Sequence, residues 1–291
     1  MRIILPETHL RSEELYLKGR VVNRTIAPLI WLAFSVCLNA QITLGPTVDT
    51  FGVLAGSTVT NSGPTTVVGN LGVSPGTAIT GFTGIAPGGP GLVSGSINSA
   101  NAFAAQAQSE LTAAYNAAAG AASTATVAGD LGGLTFFPGV YTSSSTLGIT
   151  GTVTLNALGN PNAQFIFQIG SALTTATSSS VLLINNAKPS NVFWQMGSSA
   201  TLGTTSNFSG NLLALSSISL GTGTVLQGRA LARNGAVTLL SNSITAPAGL
   251  SGPPPPLVTP APSSLILVTT ALAGILIFQT RKRLLKSFRF R

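Results

Sequence analysis

The residues able to do acid–base, nucleophilic or metal chemistry are few and badly placed for it. The sole histidine, His9, and the sole cysteine, Cys37, both fall in a basic and apolar leader, so a body starting near residue 41 contains neither. A zinc site, a Ser-His-Asp triad and a cysteine nucleophile are therefore excluded there. The body's only acids are Asp49, Glu110 and Asp130, and nothing in the sequence pairs two of them for glycosidase or hard-metal chemistry. Neither a cofactor nor an enzymatic activity is expected. Of 14 Lys and Arg, five precede residue 25 and six follow residue 280, leaving Lys188, Arg229 and Arg233 between. The middle of the chain is thus net neutral, and the formal charge of +8 gives no support to a nucleic-acid groove. At 44% hydrophobic and 7% charged, the chain does not have a disordered composition either.

The two ends of the chain read as addresses. Arg20 and Arg24 precede an apolar run from Ile26 to Leu38 that closes with Asn39-Ala40, the layout of a secretory signal peptide over residues 1–40 with a cut near Ala40. A retained spanning helix is the alternative, but about 13 apolar residues are short for one. At the other end, residues 251–262 form a Pro-rich spacer expected to be stiff and extended. Residues 263–280 are uncharged and mostly apolar, and a helix of that length, about 27 Å, just spans the hydrocarbon core. The basic residues of 281–291 should stay cytoplasmic and place the body outside. This three-part end resembles a PEP-CTERM-type bacterial sorting tail, which implies a membrane anchor and then a processing peptidase as partners. Ala261 stands where that tail usually has Glu.

The body, residues 41–250, is built of Gly, Ser, Thr, Ala, Val, Leu and Asn in short alternating runs broken by turn residues, the signature of many short strands. Leu recurs at 155, 183, 202, 220 and 239, the last four spaced by 19, 18 and 19. Alongside run FQIG at 167–170, WQMG at 194–197 and Ala232-Arg233-Asn234-Gly235. A period near 18 or 19 suits one coil of a β-solenoid, in which inward Leu, Val, Ile and Phe stack on the coils above and below. A sandwich of short strands is the alternative fold. One stretch breaks the pattern: from Ser96 to Ala119, apolar residues at Ile97, Ala100, Phe103, Ala107, Leu111, Ala114, Tyr115 and Ala118 form a helical stripe, with Gly95 before it and Gly120 as its C-terminal cap. The helix is expected to lie along the solenoid and cover one face. Residues 81–95, rich in Gly and Pro, read as a loop or small cap over one end.

These blocks in order, above all NVFWQMGSSATLG (191–203) and GRALARNGAVTL (228–239), resemble the microbial ice-binding protein family across essentially the whole body. The resemblance implies a mainly β fold: a right-handed discontinuous β-solenoid of triangular section with one long α-helix packed alongside. It also implies an extracellular protein whose partner is ice or ordered water. Such a solenoid repeats side chains on a grid of about 4.8 Å by 6.8 Å. Thr offers that grid a hydroxyl, a methyl and a stiff χ1.

Some members of the family carry a loose T-A/G-x-T/N pattern on the ice-facing side. Thr77-Ala78-Ile79-Thr80 matches it fully, while Thr175-Ala176-Thr177-Ser178 and Thr204-Thr205-Ser206-Asn207 each depart once. Thr222-Gly223-Thr224-Val225 and Thr150-Gly151-Thr152-Val153 end in Val, and Ser199-Ala200-Thr201 is a further candidate. The expected ice-facing set is Thr77, Thr80, Thr175, Thr177, Thr201, Thr204, Asn207, Thr222 and Thr224; for each, a solvent-facing Thr that merely suits a strand is the plainer alternative. Trp194 and Phe193 read as core, Gln168 and Gln195 as a buried polar ladder, and Arg229 and Arg233 as partners of carbonyls or a carboxylate near the last coil. The competing function on this fold is a non-catalytic surface adhesin that binds matrix or polysaccharide.

Overall fold

The computed structural model describes residues 41–82 and 90–247; the leader, the spacer, the apolar stretch 263–280 and the basic tail fall outside them. Among the described residues no helix is long and apolar enough to cross a membrane.

Short strands with apolar residues at alternate positions must bury one side, and here they do so by winding into a three-sided coil. Every strand pairing is parallel. The first face runs through Gly139–Ser143, Phe165–Ile169, Val192–Met196, the second halves of Asn207–Ala214 and Val225–Ala232, then Phe51–Ala55, Asn70–Val73 and Ile97–Ser99. The second face is a separate eight-stranded sheet. The third includes Thr152–Asn156, Ser180–Ile184, the first halves of Asn207–Ala214 and Val225–Ala232, Ser243–Thr245 and Thr66–Val68. The two eight-residue strands turn the corner from third to first face at Gly210 and Gly228. Gly210 has φ +117°, and a Cβ on Gly228 would sit 1.8 Å from the Gly210 carbonyl oxygen, so neither position takes a side chain.

The stack is discontinuous. Coils from residues 51–99 sit on top of the last C-terminal coil, where Val53 pairs with Ala230, Val59 with Val237 and Thr66 with Ser243. Helix α1, Ala102–Gly120, joins the two parts of the stack. It packs Ala107, Leu111, Tyr115 and Ala118 against Phe51, Val140, Ile166, Phe193, Leu213 and Leu231 of the first face. Alanine on the buried stripe permits that close approach, and it leaves the first face buried on both sides.

The expected helix start at Ser96 is corrected to Ala102. Ile97–Ser99 completes the top coil by pairing with Leu71, Gly72 and Val73, and Asn101 is the N-cap, its side chain accepting the Ala104 N–H at 2.9 Å. Phe103, placed on the buried stripe by its spacing, is 42% exposed. At the other end Gly120 is not the cap that was expected: the Gln168 amide donates to the carbonyls of Ala118, Ala119 and Ala121. Gln168 does pair with Gln195 in register, so the two share a ladder.

The Leu series also mixes two faces. Leu155 and Leu183 pair on the third face, whereas Leu202 and Leu220 pair on the second. The real coil length changes along the stack: Val140 pairs with Ile166 and that with Phe193, 26 and 27 residues apart, but Phe193 pairs with Asn211 and that with Arg229, 18 apart each. Trp194 is fully buried, stacked on Phe167 at 4.1 Å between centroids.

Candidate functional site

On the second face the strands stack as Gly129–Asp130, Leu147–Ile149, Leu173–Thr175, Ala200–Leu202, Ile218–Leu220, Val237–Leu240, Thr58–Ser62 and Ala78–Thr80. Leu147, Ile149, Leu173, Ala200, Leu202, Ile218, Leu220, Val237, Leu239, Val59 and Ile79 point inward. Because side chains alternate across a strand, the residue between each inward pair must point out. Pairing puts these in one column: Gly148, Thr174, Thr201, Ser219, Thr238, Thr60 and Thr80. From Thr174 to Thr80 the column holds six hydroxyls over about 24 Å at strand spacing. None of the six has a hydrogen-bond partner among the described residues.

The flanking columns stay low. One side carries Thr146, Ala172, Ser199, Ser217, Ala236, Thr58 and Ala78; the other carries Ala176, Gly203, Gly221, Leu240 and Ser62. Gly203 is required, since a Cβ there would lie 2.5 Å from the Ala176 backbone. The only charge on these strands is Asp130, at the bottom edge opposite Gly148. Its carboxylate accepts the N–H groups of Gly132 and Thr150, and these bonds, Gly132 first, hold its pKa below the usual carboxylate value.

The expected residues divide into four groups. Thr80 and Thr201 lie in the central column, and Thr77 is exposed just before the strand that carries Thr80. Thr177, Thr204 and Thr222 form an exposed ladder along the corner beside the face, with Thr177 Oγ1 3.1 Å from Thr204 Oγ1 and the Thr205 N–H donated to the Thr222 carbonyl. Asn207 points outward on the third face, in register with Val225. Thr175 and Thr224 are corrected: both are buried. Thr175 Oγ1 lies 3.2 Å from Ser206 Oγ and accepts the Gly203 N–H, while Thr224 Oγ1 donates to the Gly203 carbonyl. Register explains the miss, because Leu173 pairs with Ala200 and so Thr177, not Thr175, stands level with Thr204. Thr224 stands level with Ser206 on an inner hydroxyl ladder that satisfies corner carbonyls.

Thr60, Thr174, Ser219 and Thr238 share the central column but lie outside the expected set. For Ser219 and Thr238 the signal was present in ISL and VTL, where, as in ATL, the residue before the recurring Leu is the outward one.

The other faces cannot offer such a plane. The first lies under α1. On the third, Leu182, Val225, Val68 and Leu92 protrude, and Ser180–Ile184, fully paired with Thr152–Asn156, meets Asn207–Ala214 only at Ser180 opposite Asn207 before the strands part around a cavity of about 480 Å³.

The body's three acids and its arginines are engaged in structure. Burial tends to raise the pKa of Glu110, but bonds from Gln106 and from the N–H groups of Val48 and Thr47 outweigh it and hold it low. Arg229 is 0% exposed and pairs with Asp49 at 2.6 Å; burial lowers its pKa, against which the Asp49 charge works. The Arg233 guanidinium lies 4.7 Å from the Tyr115 ring centroid. No group of three or more metal-ligating side chains exists among the described residues.

Fold and face together define a discontinuous three-sided parallel β-solenoid with a companion helix, one open side of which presents a regular hydroxyl lattice. The chain belongs to the ice-binding-like family, whose model matches residues 53–245. It is 47% identical over 251 residues to an ice-binding protein of Nostoc sp. (strain HG1), covering 86% of this chain and 90% of that one. The crystal structure of an ice binding protein from an Antarctic biological consortium superposes with a TM-score of 0.67 at 48% identity, covering 70% of this chain and 90% of that chain. The ice-binding protein of the Antarctic ascomycete Antarctomyces psychrotrophicus gives 0.67 at 38% identity, covering 72% and 100%.

Proposed function

We propose that this protein adsorbs to ice through its second face and so inhibits crystal growth and recrystallisation. One observation carries the reading: of three sides on one scaffold, a single one is open, low and register-locked, with six free hydroxyls in line and its only charge at the edge. Ice is a lattice of water oxygens, and a repeating protein surface can engage it at many points together. Each Thr contributes a hydroxyl to that lattice and a methyl around which water is caged, and its β-branch keeps χ1 fixed before contact. Contacts that are weak singly add up because the sheet has little freedom left to lose on binding. Charges would retain their own hydration against the lattice. Between adsorbed molecules the ice front must bulge, and the added curvature opposes further growth.

The exposed corner ladder Thr177, Thr204 and Thr222 borders the plane and extends it. No catalytic role is assigned, since Asp49, Glu110 and Asp130 are committed to bonds within the fold. The reading places the body outside the cytoplasm, supported by the signal-peptide-like layout of residues 1–40 and by an apolar stretch at 263–280 that would anchor it in a membrane before the basic tail. The test is to watch single ice crystals under a cold-stage microscope with micromolar protein. Faceted crystals that stop growing within a temperature gap are expected; round crystals with normal coarsening would overturn the reading in favour of an adhesin.

A further inference from the structure

The hydroxyl column is assembled from two distant parts of the chain. Thr174, Thr201, Ser219 and Thr238 belong to the continuous stack, whereas Thr60 and Thr80 belong to the N-terminal coils laid on top of it. Within the stack each coil is covalently linked to the next. Between Thr238 and Thr60 no such link exists, and only non-covalent bonds keep the two parts flush.

The backbone pairs at this seam are ordinary: Gly56 and Ser57 donate to the Gly235 carbonyl, Thr66 to Asn242 and Ser241 to Ser62. What is unusual is Arg229. It is the one charged side chain in the buried set of the described residues, placed where neighbouring coils carry the Asn211 amide and the Phe193 ring. Its guanidinium binds three separate parts of the chain. Nε and Nη2 donate to the Asp49 carbonyl, with Nη2 also against the Asp49 carboxylate; Nη1 donates to Asn211 Oδ1; and Nη2 donates to the Pro247 carbonyl. Asp49 lies in the 3-10 turn Val48–Thr50 that leads into the first strand of the N-terminal coils, Asn211 lies in the stack below, and Pro247 follows the stack's last strand. A buried ion pair is a poor source of net stability compared with apolar residues of equal volume, and its directional bonds accept a single arrangement of their partners.

We infer that Arg229 is a positioning residue for the ice-contacting face: it clamps Asp49 and Pro247 together so that the rows of Thr60 and Thr80 continue the column of Thr238. This rests on the second face being the contact surface, but the clamp itself can be measured without ice. With the clamp weakened, the seam opens locally while the coils on either side stay folded, and the usable column shrinks from six hydroxyl rows to four.

The test compares the full chain with Arg229→Met, which fills similar space without the charge and leaves Asp49, 23% exposed, free to hydrate. Hydrogen exchange read by mass spectrometry should show the amides of Gly56, Ser57, Thr66 and Ser241 exchanging at least tenfold faster. The amides of Thr205 and Ser216, which bond within the stack, should keep their rate. Ice-growth inhibition should fall several-fold. Oxidising a Thr66→Cys/Ser243→Cys pair, which faces across the seam on the third face, should restore both readouts in a Cys37→Ser background. Unchanged seam exchange, or a uniform rise along the whole stack, would overturn the inference. If Arg229→Met does not fold, Arg229→Gln, which lacks both the charge and the guanidinium fork, is read in the same way. Faster seam exchange with undiminished ice inhibition would overturn the link between clamp and face, and Thr201→Tyr in the same assay then shows whether the face itself was misassigned.

Discussion

Thr201→Tyr is the sharpest perturbation of the proposed face. Thr201 stands outward in the central column, with Thr174 on one side and Ser219 on the other, each about 4.8 Å away. A phenol there rises well above its neighbours and holds a flat lattice off the rows on both sides. Contact is lost at three rows, Thr174, Thr201 and Ser219, leaving Thr238, Thr60 and Thr80 as an intact patch. If each row contributes about 0.5–1 kcal/mol, a typical net value for one hydrogen bond, the loss is about 1.5–3 kcal/mol, or roughly 10–150-fold in adsorption strength. The fold should barely notice, since Thr201 is exposed and an aromatic suits a strand: a change within about 0.5 kcal/mol moves Tm by roughly 1–2 °C. Thermal hysteresis by nanolitre osmometry, run beside a melting curve, measures both. Gln227→Tyr on the third face is the matched control and should retain activity. Full activity in Thr201→Tyr together with loss in Gln227→Tyr would refute the assignment of the face.

Ser219 is the one hydroxyl row of the column lacking a methyl, so Ser219→Thr should raise inhibition by about twofold, read as slower recrystallisation at equal protein concentration. Half-buried Leu240 is the one large side chain in the flanking column of Ala176, Gly203, Gly221 and Ser62, and Leu240→Ser should likewise raise activity in that assay. Activity should be flat from about pH 5 to 9, because the central column has no titratable group. Stability behaves differently: the folded-state pKa values of Glu110 and Asp130 lie below their unfolded values, so their contribution is fully present above about pH 4.5 and is lost as pH falls through the folded values. Glu110→Ala should flatten that acid limb in a plot of Tm against pH. Trp194→Ala empties a fully buried site and should cost about 3–5 kcal/mol in chemical denaturation.

Much of this architecture was legible because a solenoid writes its rules locally. Alternation in ATL, ISL and VTL fixes which residues are core, the Ala-rich stripe fixes a helix that can lie close to a sheet, and paired blocks such as FQIG and WQMG do fall on one face in register. What the sequence conceals is phase. Coils of 26–27 residues give way to coils of 18, so a repeating Leu joined strands of different faces, and a four-residue motif placed Thr175 two positions away from the residue level with Thr204. The corner is where this matters most, because two positions there move a hydroxyl from solvent at Thr222 to the interior at Thr224. The helix start was hidden for a related reason: Ile97 fits a helical stripe and a strand equally well, and pairing with Leu71 decides between them.

The most direct test is adsorption itself. Fluorescently labelled protein should be frozen slowly against a single ice crystal, comparing the natural chain with a second-face triple variant, Thr60→Tyr/Thr201→Tyr/Thr238→Tyr, and a third-face triple variant, Thr66→Tyr/Gln227→Tyr/Thr245→Tyr. The natural chain and the third-face variant should be taken into the ice, and the second-face variant should stay in the liquid. Uptake of the second-face variant at the level of the natural chain would contradict the account.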